Sequence, residues 1–154
     1  MNGFWPDGVR CGVALTFDLD AETLWLSRAE GRDSPVMFSQ GAYGVTTGVP
    51  RILSLLRRFG VNATFFIPGK IIEDYTGAVR RIVDARHEIG YHSYTHSVPT
   101  SVEQERQEIR RCWQIMEDLL GVVPAGYRAP DFEVLHGGLD SVSMGRGSTM
   151  FHSR

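Results

Sequence analysis

The chain has 154 residues, of which 42% are hydrophobic and 22% charged, a composition typical of one soluble globular domain rather than a disordered or fibrous protein. Its acids and bases are interspersed and sum to a net charge of -2, so we expect neither a nucleic-acid partner nor a polybasic membrane anchor. The first residues lack a signal-peptide pattern and no stretch reaches the apolar length of a membrane span, so we expect a cytoplasmic location.

The first half of the chain begins with a predicted strand at 12–17. The segment 21–49 is rich in turn residues and predicts a long loop over the carboxyl end of that strand; these residues are Gly31, Pro35, Gly41, Gly44 and Gly48. A helix is predicted at 50–59, because one set of apolar residues follows the spacing i, i+3, i+4, i+7 of a single buried face: Ile52, Leu55, Leu56 and Phe59.

The second half alternates strands and helices again. Strands are predicted at 62–67, 88–91 and about 125–128. A helical region at 70–86 is expected to break at Gly77. The clearest helix is 101–120, where Thr100 or Ser101 is the predicted N-cap, Glu103 or Gln104 completes the capping pattern and Gly121 is the stop.

Strands that alternate with helices of ten or more residues imply right-handed crossovers and a parallel sheet, so the predicted class is α/β. About four βα units make only part of a barrel. We therefore expect residues 1–133, with about four βα units, to form the N-terminal part of such a barrel, and residues 134–154, which follow no regular period, to form an irregular tail. Cys11 and Cys112 lie far apart and are expected to be small buried residues rather than a disulfide or a thiolate metal site.

Two carboxylates, Asp18 and Asp20, follow the first predicted strand. Residues i and i+2 of a strand share a face, so both side chains are expected to point into one pocket. Such pockets, at the carboxyl ends of parallel strands, are where α/β proteins bind ligands. The alternative is that both acids only cap the following turn.

Two histidines, His92 and His96, follow the strand predicted at 88–91. Both imidazoles can reach one ion if the three residues between them form a single turn. One histidine alone is more often structural, but two at this spacing, at the same sheet edge as the aspartates, favour a metal site. Two imidazoles and one carboxylate leave coordination positions open for water and substrate, as in a catalytic zinc site. A second carboxylate could then remove a proton from the water.

Arg128 follows the last predicted strand. It could pair with a carboxylate in the pocket and hold it ionised and oriented. The alternative is an ordinary surface ion pair, which would contribute little to stability.

Three segments resemble, in order and separation, the conserved motifs of the polysaccharide deacetylase family (the NodB homology domain). TFDLD at 16–20 is similar to its TFDD motif, HSYTH at 92–96 to its H-[ST]-x-x-H motif, and RAPDF at 128–132 to its RxPxW or RxPY motif. The resemblance covers roughly residues 8–133.

This resemblance implies a distorted (β/α) barrel and a role for each matching residue. Asp18 would be the general base, and Arg128 would hold it in place. The ligands of a divalent metal, expected to be zinc, would be Asp20, His92 and His96. The extra residue in TFDLD, the segment 40–44 and the missing signal peptide resemble a cytoplasmic subgroup similar to cyclic imide hydrolases and to a peptidoglycan-deacetylase-like protein. The implied reaction is hydrolysis of a non-peptide C–N bond, in a cyclic imide or amide or in an N-acetylated sugar.

The family's later LxxH motif, whose histidine is the general acid, has no match in this sequence, because Leu135-His136 has the wrong spacing and His152 lacks the leucine. We also expect this sequence to lack the strands that would close a barrel. A second interpretation is therefore a shortened, non-catalytic remnant that binds metal or another protein. Self-association into a homo-oligomer is one way to cover the open edge of a partial barrel.

Overall fold

The computed structural model describes residues 8–28 and 35–133. The tail predicted at 134–154, and with it His136 and His152, lies outside the described residues. A domain boundary near Glu133 therefore stays a prediction.

The described chain is built on a parallel sheet with the strand order β1-β2-β3. The strands are β1 (Thr16–Asp18), β2 (Thr64–Ile67) and β3 (Glu88–Tyr91). The fourth predicted strand is reduced to one parallel bridge between Tyr91 and Tyr127. The predicted α/β class with a parallel sheet is confirmed, and all the carboxyl ends of the strands lie at one edge.

The central strand β2 is buried along its whole length, which is typical of a parallel strand covered on both faces. Its Phe66 packs directly against the backbone of β3. A Cβ atom at Gly90 would lie only 2.5 Å from Cε1 of Phe66, so glycine is the residue that permits this approach. The close packing fixes the position of β3 and of the segment that follows it.

Helices connect the strands and cover the sheet. They are α1 (Thr23–Arg28), α2 (Pro35–Tyr43), α3 (Val49–Phe59), α4 (Gly69–Asp74), α5 (Thr76–Asp84) and α6 (Val102–Leu120). A π-helical segment (Gly44–Gly48) joins α2 to α3, and a 3-10 turn (Pro130–Phe132) follows the last bridge. Among the described residues no helix is both long and apolar enough to cross a bilayer.

The long loop predicted over 21–49 is wrong in the described part of that segment, which is helical at 23–28 and 35–48. The glycines there were interpreted as turn residues, but Gly41 lies inside α2, where its missing side chain permits close packing. Gly44 and Gly48 begin and end the π-helical segment.

The helix predicted at 50–59 is present as α3, but its buried face differs from the prediction. Val49 and Leu56 are buried, whereas Leu55 is 55% and Phe59 66% exposed. Both residues fit a helical repeat, but the hydrophobic core contains a neighbouring stripe of the same helix, with Val49 and Leu56. Periodicity alone does not reveal which of two overlapping apolar stripes faces the core.

The remaining helices follow the prediction more closely. The helical region at 70–86 breaks at Tyr75 rather than at Gly77. In α6 the hydroxyl of Ser101 accepts a hydrogen bond from the backbone N–H of Gln104, and Gly121 ends the helix in the left-handed conformation, so both predicted caps are confirmed. Cys112 is buried as expected, but the expectation is wrong for Cys11, which is exposed; both are free thiols.

One carboxylic acid is buried beneath the sheet. Glu105 of α6 is only 1% exposed and lies beside Tyr127. Burial raises its pKa, because the charged form loses the solvation it has in water. Its place on the inward stripe with Ile109, Cys112 and Met116, at helical spacing, is the sequence signal that could have identified it.

This burial predicts a pH-dependent stability. The pKa of Glu105 is higher in the folded than in the unfolded chain, so the folded chain binds more protons between the two pKa values. The contribution of protonated Glu105 to the stability of the folded chain is therefore lost as the pH rises through that window. We expect Glu105→Gln to raise the free energy of unfolding by about 1–3 kcal/mol at neutral pH, because it removes a buried charge, and to have less effect in acid, where the glutamate is itself neutral.

Urea unfolding at about pH 8 and about pH 4 measures this difference. The matched control is Glu103→Gln, because Glu103 lies exposed in the first turn of the same helix, where its charge favours the helix. A gain for Glu105→Gln that is the same at both pH values would contradict the explanation.

Candidate metal centre

Three side chains converge at the carboxyl edge of the sheet. Asp20 follows β1, and His92 and His96 follow β3. Nε2 of His92 lies 3.6 Å from Oδ1 of Asp20, and Nε2 of His96 lies 3.7 Å from Oδ2 of the same carboxylate. Both histidine side chains are nearly buried, at 3% and 5% exposure, while the carboxylate is 19% exposed. The cluster therefore has one open side.

These separations suit a shared cation better than direct hydrogen bonds. Hydrogen bonds between nitrogen and oxygen are about 2.7–3.2 Å long, so both distances are too great. Ligands placed tetrahedrally at about 2.0–2.1 Å from a zinc ion lie roughly 3.4 Å from one another. All three ligand atoms of Asp20, His92 and His96 lie within 4.8 Å of one another, which fits one ion between them.

The sheet brings together residues that are 72 positions apart in the chain. Strand β2 lies between β1 and β3, so the two outer strands are about 10 Å apart. Asp20 reaches over the end of β2 to the histidines. This convergence depends on the parallel order of the strands, which places all three carboxyl ends at the same edge.

The turn between the two histidines has a specific backbone shape. Ser93 and His96 both have a positive φ, of 57° and 58°, which bends the chain sharply back on itself. The carbonyl of Ser93 accepts a hydrogen bond from the N–H of Gly69 at 3.0 Å. The imidazole rings meet edge to face with their centres 4.9 Å apart. A single turn thus brings both rings together, but it is not a turn of α-helix.

A backbone carbonyl orients His92. Nδ1 of His92 lies 2.6 Å from the carbonyl oxygen of Arg128, which can only accept a hydrogen bond, so Nδ1 carries a proton. In the neutral ring Nε2 then presents its lone pair to Asp20. Burial lowers the pKa of His92, an effect that the Arg128 carbonyl and Asp20 oppose. The neutral imidazole with a free Nε2 is the form that binds metals.

Asp18, the other aspartate, has a different partner. Its Oδ1 accepts a short hydrogen bond from Nη1 of Arg128. Nη2 of Arg128 donates to the hydroxyl of Thr16 at 2.8 Å, and its guanidinium lies 4.1 Å from the ring centre of Phe66. With three such contacts, Arg128 is held firmly, so it is more than a solvent-exposed ion pair.

The structure thus brings all five predicted residues to one edge of the sheet, in two groups: Asp20 with His92 and His96, and Asp18 with Arg128. Sequence reasoning missed the second contribution of Arg128, whose carbonyl orients His92. No sequence signal points to this contact, because any residue type supplies a carbonyl.

The chain is similar in sequence to known deacetylases. The sequence model of the family described as polysaccharide deacetylase matches residues 11–136. A peptidoglycan deacetylase of Helicobacter pylori is 38% identical over 123 residues, which cover 79% of this chain and 42% of that protein. A peptidoglycan deacetylase-like protein of Gibberella zeae is 31% identical over 140 residues, 88% of this chain and 40% of that protein.

A solved structure supports the fold. The crystal structure of a candidate polysaccharide deacetylase from Mycobacterium smegmatis superposes with a TM-score of 0.81 at 40% identity, over 85% of this chain and 47% of that one. The predicted partial (β/α) barrel of the NodB homology type is therefore confirmed. The chain spans about two fifths of the length of the two curated relatives and about half of the solved structure.

Proposed function

This chain belongs to the polysaccharide deacetylase family, and we propose that it carries the metal-binding part of a hydrolase for the amide bond of N-acetylated amino sugars. The observation that carries this proposal is the cluster of Asp20, His92 and His96. Two neutral imidazoles and one carboxylate suit a catalytic divalent cation, and zinc is the proposed one. When bound, such a cation supplies a Lewis acid that polarises a carbonyl and makes water more acidic.

We propose that Asp18 is the general base. It lies at the same sheet edge as the cluster, and its hydrogen bond from Arg128 orients one carboxylate oxygen while the group stays 31% exposed to water. Arg128 then acts as a positioning residue for this carboxylate.

The reaction breaks the C–N bond of the acetamide. The oxygen of one water molecule becomes part of the released acetate, and the amino-sugar nitrogen leaves as the free amine with a proton. Asp18 would take the proton from the water. The similarity to peptidoglycan deacetylases supports an N-acetylated sugar. The alternative substrate class, a cyclic imide or amide, contains the same type of bond and is tested beside it.

The test combines metal analysis with an assay of both substrate classes. We expect the purified chain to contain about one zinc ion, and the zinc-loaded chain to release acetate from N-acetylglucosamine oligomers. Ring opening of a succinimide without acetate release would assign the activity to cyclic imides instead. A chain that binds no divalent cation at all would rule out the proposal.

A second candidate function is a metal-binding remnant without catalysis. The observation that favours it concerns His87, the third histidine in the part of the chain that the structure describes. His87 lies at the opposite end of β3 from the cluster, so it cannot serve as the general acid there. Stoichiometric zinc without turnover of either substrate would support this candidate.

We also propose self-association at the open edge of β1. In the described residues β1 pairs only with β2, and apolar side chains lie exposed nearby, among them Val13 at 83%. Such edges are usually covered in natural proteins. A well-folded monomer in size-exclusion chromatography would argue against an oligomer. A cytoplasmic location stays a prediction.

A further inference from the structure

The turn that carries Asp20 has an unfavourable backbone conformation. Ala21, the next residue, has a φ of +47°, in the left-handed region that costs a residue with a side chain about 1–2 kcal/mol. The carbonyl of Asp20 accepts hydrogen bonds from the N–H and the hydroxyl of the fully buried Thr23, at 3.0 and 2.5 Å. Such a conformation persists only where surrounding contacts hold it.

Helix α2 supports this turn from one side. Its buried Gly41 lies directly against the backbone of Ala21 and Glu22. A Cβ atom at position 41 would lie 2.8 Å from both Cα and N of Glu22 and 2.9 Å from the carbonyl carbon of Ala21. These neighbours are backbone atoms, which cannot rotate away, so any side chain here would displace the turn.

A long-range hydrogen bond also holds this turn. The hydroxyl of Tyr75 donates a short hydrogen bond to Oε1 of Glu22, 53 residues away in sequence. This hydrogen bond and burial raise the pKa of Tyr75 to about 12, so the hydroxyl keeps its proton and remains a donor. Tyr75 lies at the break between α4 and α5, where it joins two packed helices.

We propose that Gly41, Glu22 and Tyr75 form a clamp that positions Asp20 for the cation. The proposal rests on the metal site proposed above. Without the clamp, the strained turn at Ala21 could relax, and the carboxylate of Asp20 would move relative to His92 and His96. These three residues do not touch the ion; they act through the backbone that carries its carboxylate ligand. Supporting residues of this kind typically change metal affinity about 10–100-fold.

The first experiment is a double-mutant cycle with Co²⁺ alone as the probe. Tyr75→Phe, Glu22→Ala and the double variant are titrated with Co²⁺ at a temperature at which circular dichroism shows each one folded. We expect each single variant to bind Co²⁺ about tenfold more weakly or worse, and the double variant to bind little worse than either, because one hydrogen bond is lost in all three. Glu22→Gln, which keeps an acceptor oxygen, should retain most of the affinity. Tyr43→Phe, with an exposed hydroxyl that contacts Arg51, is the control.

The second experiment uses a matched pair of glycines in helices. Gly41→Ala should weaken Co²⁺ binding at least about tenfold and change the visible absorption spectrum of the bound Co²⁺. Gly77→Ala should bind as the parent chain does, because a Cβ at Gly77, in α5, would have no heavy atom within 4 Å beyond its chain neighbours and the backbone of its own helix. If Gly41→Ala does not fold, the double-mutant cycle decides.

The outcomes distinguish the proposed clamp from the proposed metal site. Equal Co²⁺ affinities for the parent chain, Tyr75→Phe and Glu22→Ala would overturn the clamp and leave the metal site intact. A loss of affinity that matches only a loss of folded protein would also overturn it. No binding by the parent chain would overturn both.

Discussion

We expect the Asp20→Ala and His92→Ala variants to lose divalent metal almost completely, with a zinc affinity more than about 100-fold below that of the parent chain. Even the loss of an outer-shell partner costs about 10–100-fold, and these residues would contact the ion themselves. In the structure the carboxylate of Asp20 faces both imidazoles, at 3.6 and 3.7 Å. Removing it leaves only two nitrogen ligands.

Zinc content after dialysis and competition with a chromophoric chelator measure this loss. The matched controls are Asp74→Ala, an exposed aspartate paired with Lys70 on α4, and His87→Ala, a histidine at the other end of β3. Both should keep the affinity of the parent chain if circular dichroism shows them folded. Equal zinc binding by Asp20→Ala and Asp74→Ala would exclude Asp20 as a ligand.

The Asp18→Asn variant should show the opposite pattern, with metal affinity kept within about threefold and turnover reduced about 100- to 10,000-fold, the usual contribution of a general base. Asparagine has almost the same shape, and its amide oxygen can still accept the hydrogen bond from Arg128. It cannot take a proton from water. The change therefore removes the proposed chemistry with little disturbance of the surrounding contacts.

The measurement pairs a zinc titration with the rate of acetate release, and Asp84→Asn, an exposed aspartate at the end of α5, is the control. If Asp18→Asn loses zinc as completely as Asp20→Ala does, the division of roles between the two aspartates is wrong. If the variant hydrolyses substrate at the parent rate, another group is the base.

Elements with strong local signals were predicted well. The strand at 88–91 and the helix that begins after Ser101 agree with the structure, because the capping hydroxyl and the stop at Gly121 act within a few residues. The helices at 23–28 and 35–43 were missed because Pro35 and the four glycines of the segment 21–49 suggested a loop. Gly41, one of these glycines, instead contacts a backbone 20 residues away, and no local pattern reveals such a contact.

The residues of the candidate site could be predicted from the sequence, but the contacts that hold them in place could not. The spacing of Asp18, Asp20, His92, His96 and Arg128, with the family resemblance, was enough to select five residues that the fold brings to one edge. The orientation of His92 by a carbonyl depends on how two segments lie in space. So does the hydrogen bond from Tyr75 to Glu22.

The sequence by itself determined the α/β class, the order of the strands along the chain and the donor atoms offered to a cation, because these follow from periodicity, turn residues and side-chain chemistry. Only the tertiary structure decided that Asp20 reaches over the end of β2 to two histidines 72 and 76 positions away. The physical reason is that ligand distances of a few ångströms are set by strand pairing and by the packing of Gly90 and Gly41 against neighbouring elements. These are contacts between distant parts of the chain, which no local pattern encodes.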